Sequence, residues 1–151
     1  MPMMRILLAM SLVMLLAACA SAPYAQRVGE RQVAYAAAAG APVRSFRFFN
    51  LYSWEPLSDD QLAVYTRSNE AWLLDVEGNC QQLSFANSIG ITSNINQVMV
   101  GFDKVLTGRG NFPCTITQIR PIDVKHLKAV QQQQRQIKSE PREAAKGTAA
   151  Q

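Results

Sequence analysis

The chain has 151 residues, with 15 Lys and Arg against 11 Asp and Glu, one His and three Cys. That length bounds it to one domain, and 48% hydrophobic content is enough for one modest core. The net charge of +4 sits at the ends, because Arg5 lies in the leader while Arg135, Lys138, Arg142 and Lys146 outweigh Glu140 and Glu143 in the tail. The near-neutral body between them argues against nucleic acid as a partner.

The first predicted element is a leader. Arg5 precedes an apolar run from Ile6 to Leu16, interrupted only by Ser11. The run has signal-peptide length and is too short for a permanent membrane-spanning helix. Leu16-Ala17-Ala18-Cys19 ends it. Small residues before a cysteine let a peptidase hold the backbone, and the thiol accepts diacylglycerol as a thioether. The pattern resembles the substrate of the lipoprotein signal peptidase, which implies a signal peptide over 1–18 and Cys19 as the lipidated first residue. Several acyl chains make such an anchor lasting, at about 0.8 kcal/mol per buried methylene. The alternative is a secretory signal cut near Ala20-Ser21-Ala22, with Cys19 discarded. Both readings put the body outside the cytoplasm. Ala20, rather than Asp, after the cysteine resembles the sorting pattern of the outer membrane, facing the periplasm.

Residues 19–42 are expected to form a tether and a short helix. Arg27 to Ala39 has helical composition, with Val28, Gln32, Tyr35 and Ala39 near one face, and Gly40 and Pro42 end it. Val43 to Trp54 is aromatic and strand-like, with Asn50 as a break, and Pro56 with Ser58-Asp59-Asp60 marks a turn. Gln61 to Val76 is the clearest hairpin. Leu62, Val64 and Thr66 share one face, and Ala63, Tyr65 and Arg67 the other; Trp72, Leu74 and Val76 then alternate with Ala71, Leu73 and Asp75. Both faces carry apolar groups, so both should meet cover. Glu77-Gly78-Asn79 turns toward Cys80. Leu83, Phe85 and Ala86 form a short apolar piece, Ile89 to Ser93 a strand, and Asn94 to Asn96 a turn. Gln97 to Leu106 reads as one strand bent at a Gly101 bulge. Thr107 to Asn111 is a loop, Thr115 to Arg120 a last strand stopped by Pro121, and Asp123 an N-cap for a helix carrying Val124, Leu127 and Val130. The stripe fades at Gln131–Gln134, and 131–151 is expected to be a polar disordered tail. The fold class is mainly β (α+β), a small curled antiparallel sheet or barrel over 43–130 with a short N-terminal and a C-terminal helix.

With Cys19 given to lipid, Cys80 and Cys114 are an even pair in an oxidising compartment. They are either bridged, closing a loop worth about 3–4 kcal/mol, or two free thiols. Metal binding by them with His126 matches no ligand spacing.

The lipobox, Gly40-Ala41-Pro42-Val43, Trp54-Glu55-Pro56-Leu57, Asp59-Asp60, Cys80, Phe102-Asp103-Lys104-Val105 and Cys114 through Ile119-Arg120-Pro121 occur in this order. In this the chain resembles a family of small Gram-negative bacterial lipoproteins carried as a domain of unknown function. The resemblance covers about residues 40–130 and the leader. It implies a compact β-rich domain and the Cys80–Cys114 pair, and no activity.

Enzyme readings do poorly. His126 has no nucleophile motif beside it, Asp59 and Asp60 suit a solvated turn, and the glycines of 107–110 lack phosphate-loop spacing. Asp103, disfavoured on a strand, should have a local partner. No cofactor is expected. The binding residues proposed from sequence are Arg47, Phe49, Tyr52 and Trp54, lining an exposed groove near the strand break. The expected function is a lipid-anchored, non-enzymatic binding or structural module. Its partners are the membrane, through the anchor, and an envelope protein or cell-wall component. The alternative is a proteinaceous inhibitor of a periplasmic hydrolase using the 107–111 loop, by analogy alone.

Overall fold

The computed structural model describes residues 24–148 except 78–79, 81, 109 and 111, with side chains through residue 137. The leader and Cys19 therefore lie outside the described residues, as do Gly78, Asn79, Arg109 and Asn111 of two expected turns.

The elements run α1 (Tyr24–Ala38), β1 (Ser45–Arg47), β2 (Ser53–Pro56), β3 (Gln61–Arg67), β4 (Glu70–Glu77), a 3-10 turn (Leu83–Phe85), β5 (Gly90–Ile91), β6 (Gln97–Met99), β7 (Lys104–Leu106), β8 (Cys114–Ile122) and α2 (Val124–Thr148). Six strands form one sheet in the order β2-β3-β4-β8-β7-β5, and β1 pairs with β6 in a separate ribbon. Every pairing is antiparallel. The sheet curls into a half-barrel and stays open.

The hairpin explains this arrangement. On β3 and β4, Leu62, Val64, Leu74 and Val76 enter one core, together with Phe46, Val98, Val105, Cys114, Ile116 and Ile119. The intervening Ala63, Ala71 and Leu73 enter another, with Ala34, Tyr35 and Ala38 of α1, Leu57, and Val124 and Leu127 of α2. Side chains alternate across a strand, so a hairpin apolar on both parities needs two covers. The helices supply one and the β1–β6 ribbon the other. Ala63 and Ala71 are the small residues of the helix-covered face.

Register shifts between Tyr65 and Arg67 on β3 and between Asp75 and Val76 on β4. Between Asp75 and Val76 the partner on β8 moves from Gln118 to Ile116. Thr117 is the extra residue, and this bulge puts Ile116 and Ile119 in the same core despite their odd spacing. Pro121 does not stop β8: the strand continues to Ile122, with Pro121 opposite Trp72. Its carbonyl accepts from Gly40 N–H at 2.8 Å. A Cβ on Gly40 would sit 3.2 Å from Pro121 Cγ, so glycine here serves close approach.

Other expectations change in detail. α1 begins at Tyr24, three residues earlier than its composition suggests. Gln97–Leu106 is two strands, because Gly101 (φ 81°) sits in a tight turn that leaves Phe102 exposed. The strand near Ile89 shortens to Gly90–Ile91. Asp123 is the N-cap, its Oδ1 accepting from Lys125 N and His126 N at 3.0 Å. Those bonds, His126's first, hold its carboxyl below the usual range. α2 runs past Gln131, where the apolar stripe fades, to Thr148. Gln, Arg, Lys and Ala are good helix formers, and Gln134 Nε2 donates to Glu30 C=O on α1 at 3.3 Å.

Candidate functional site

The break at Asn50 creates the site. Residues before it pair with β6, and residues after it pair with β3, beginning with Tyr52 N–H to Tyr65 C=O at 2.9 Å. The segment crosses from ribbon to sheet with its aromatic groups uncovered. Phe49 is 67% exposed and Tyr52 63%. They line an open groove of about 860 Å³ with Arg47, Asn50, Thr66, Arg67, Ser68 and Glu70. Arg67 Nε lies 3.7 Å from Glu70 Oε2. Arg47 makes no ion pair or side-chain hydrogen bond among the described residues.

Three of the four residues expected to bind are thus brought together. Trp54 is not among them. Opposite Val64 in the register, it shares that residue's face and packs half-buried on the core. Trp72 does the same, stacked on Phe46 at 4.8 Å. Sequence reasoning missed Arg67, Ser68 and Glu70, which reach the groove only because β2 lies beside β3. The polar turn at 68–70 was the available signal.

A second groove of about 350 Å³ shares Arg47 and Phe49 and adds Ile95, Asn96 and Gln97. Asn94 and Gln97 exchange both backbone hydrogen bonds at 3.0 Å around a two-residue hairpin turn. The type I′ form of such a turn has positive φ at both central positions. Ile95 (φ 48°) and Asn96 (φ 56°) comply, although Ile95 is β-branched and 91% exposed.

The remaining polar residues have structural roles. Asp103 is buried, accepting from Met99 N at 2.7 Å and from Thr92 Oγ1 at 2.8 Å, which closes the turn between β6 and β7. It is the local partnering expected of it. Asp59 accepts from Ser84 Oγ at 2.7 Å and Asp60 from Ser58 Oγ, both at a turn. His126 is exposed on the first turn of α2. Cys80 and Cys114 form a disulfide, both buried in the ribbon-side core. Among the described residues no three His, Cys, Asp or Glu side chains gather to hold a metal ion, and no helix is long and apolar enough to cross a membrane.

One partly buried network carried no signal in the sequence. Tyr35 Oη on α1 donates to Glu55 Oε2 at 2.6 Å and meets Tyr65 Oη at 2.8 Å, while Arg31 Nη1 donates to Glu55 Oε1 at 3.0 Å. Burial, then the Glu55 hydrogen bond, push the Tyr35 hydroxyl far above the ordinary phenol range. Burial also raises Tyr65.

With this geometry in hand, comparison with known proteins adds one finding. The chain belongs to the family of unknown function DUF6491. The family's model matches residues 2–138, and so takes in both cores, the groove and the leader-like run. Neither a curated protein nor a solved structure matches the chain. Membership of DUF6491 brings no activity with it, so the function has to be argued from the surface.

Proposed function

We propose that the chain is a lipid-anchored lipoprotein of the outer membrane, facing the periplasm, and that it acts as a non-enzymatic binding module. The anchor rests on Leu16-Ala17-Ala18-Cys19 at the end of an apolar run that begins one residue after Arg5. The disulfide suits an oxidising compartment. The observation that carries the binding role is the groove: Phe49 and Tyr52, both mostly exposed, line it together with an Arg47 that makes no ion pair among the described residues. Two exposed rings beside a guanidinium with no ion pair offer stacking faces and a free five-donor fork to a ligand.

Metabolic labelling with a clickable palmitate tests the anchor. Wild type should be labelled and sediment with membranes, and Cys19→Ala should do neither. A mature product that is unlabelled and soluble would end the anchor reading. A photo-crosslinking residue at Tyr52, irradiated in intact envelopes, tests the groove. Adducts are expected there and should be lost on Arg47→Ala; a Tyr52 probe that stays free of adducts would end the binding role. A second reading, inhibition of a periplasmic hydrolase, draws on Phe112, 70% exposed and two residues from the bridged Cys114. The same crosslinker at Phe112 separates the two, since an inhibitor would give adducts there and none at Tyr52.

A further inference from the structure

We infer that the groove takes an acidic glycan, with a sugar-borne carboxylate on Arg47 and pyranose faces against Phe49 and Tyr52. The inference rests on the binding role proposed above and names its ligand class. The groove's apolar lining is chiefly the rings of Phe49 and Tyr52, and its other lining groups are mainly hydrogen-bonding ones: Asn50, Thr66, Ser68 and the Arg67–Glu70 pair. A protein hot spot needs a contiguous apolar centre sealed from water, and this open groove has none. Ring faces among amide, hydroxyl and guanidinium groups instead match a sugar, which has apolar C–H faces and a polar rim. Arg47 adds the sign of charge: Glu70 is paired with Arg67, and Arg47, with no ion pair among the described residues, is left to favour a carboxylate, which it can hold in two-pronged fashion.

Position favours a wall glycan over a membrane headgroup. Tyr24, where the described chain begins, lines a surface hollow with Pro56 and Leu57, near the start of β3. Cys19 is five residues earlier, at most about 17 Å of extended chain. Thr66, Arg67 and Ser68 of the groove lie at the other end of β3, about 20 Å away at ~3.3 Å per residue. The groove is therefore a strand's length from the point where the chain leaves toward its lipid.

The test uses the full lipidated chain in zwitterionic nanodiscs and calorimetric titration. The probes are peptide-free cell-wall glycan strands carrying a lactyl carboxylate on each disaccharide, the same strands with carboxyls reduced to alcohols, and phosphatidylglycerol vesicles. The acidic strands should bind at least about tenfold more tightly than the reduced ones, the worth of a hydrogen bond to a charged group. Arg47→Gln should abolish that preference. Tyr52→Ala should weaken both strand forms by about two- to tenfold, while Phe85→Ala, an exposed ring outside the groove, should change nothing. Equal binding of acidic and reduced strands, unaffected by Arg47→Gln, would overturn the inference. So would vesicle binding that needs Arg47 and Tyr52 without strand binding, although the groove would then remain a binding site. No binding to any probe, together with a Tyr52 crosslinker that captures nothing in envelopes, would overturn both the ligand class and the binding role.

Discussion

Replacing Tyr35 by Phe removes one oxygen and tests how α1 is held to the sheet. The ring stays in place, 1% exposed, so packing is preserved. Two hydrogen bonds disappear, one to Glu55 at 2.6 Å and one shared with Tyr65 at 2.8 Å. A bond to a charged acceptor is worth about 1.5–3 kcal/mol and a neutral one about 0.5–1.5. Glu55 keeps Arg31 and its side chain is 32% exposed, so water and the guanidinium recover part of the loss. The expected cost is about 2 kcal/mol at pH 7, read by urea denaturation, or a fall in Tm of about 6–10 °C for a domain of this size. The pH dependence has a definite sign. The folded-state pKa of Tyr35 is raised, so its stabilisation is complete below the unfolded value of about 10 and is lost as pH rises above it. Wild type should therefore lose its lead over Tyr35→Phe above pH ~10, by about 1.4 kcal/mol per pH unit. A cost under about 0.5 kcal/mol, or a gap that stays constant to pH 11.5, would refute the reasoning.

Three other outcomes are expected. Breaking the Cys80–Cys114 bridge, at a sequence separation of 34, by Cys80→Ser with Cys114→Ser should lower unfolding free energy by about 3–4 kcal/mol in denaturant titrations; an unchanged midpoint would show the bridge to be idle. Ile95→Gly should stabilise the protein by about 1 kcal/mol, because a β-branched residue at φ 48° is strained and its side chain buries almost nothing; a lower Tm would show that Ile95 has an unseen contact. Asp103→Ala should cost about 2–3 kcal/mol, since Met99 N–H and the Thr92 hydroxyl lose their acceptor in a buried turn. Amide exchange at Met99 should quicken with it, and an unaltered rate would count against the turn's dependence on Asp103.

Much of the local structure was legible because it depends on neighbours in sequence. Alternation on Leu62–Val64 and Leu74–Val76 against Ala63 and Leu73 announced a two-faced hairpin, and the structure covers both faces. Asn50 announced a break, and Asp123 a cap, since a short acceptor side chain reaches N–H groups two and three residues on. The failures came where a partner far along the chain decided the outcome. Pro121 can stay in β8 because it faces Trp72 and lends its carbonyl to Gly40, some eighty residues away in sequence. Trp54 looked like a groove residue until the β2–β3 register gave it the parity of Val64.

Taken alone, the order of residues determined most of the element types, the need for cover on both faces of the hairpin, and the pattern at Leu16–Cys19. These follow from periods of two and 3.6 residues and from short-range turn and cap chemistry. Tertiary structure alone decided that Arg47, Phe49 and Tyr52 meet Arg67 and Glu70, and that Tyr35 meets Glu55 and Tyr65. Strand order and register set those meetings, and both depend on which apolar faces can be buried together across the whole chain.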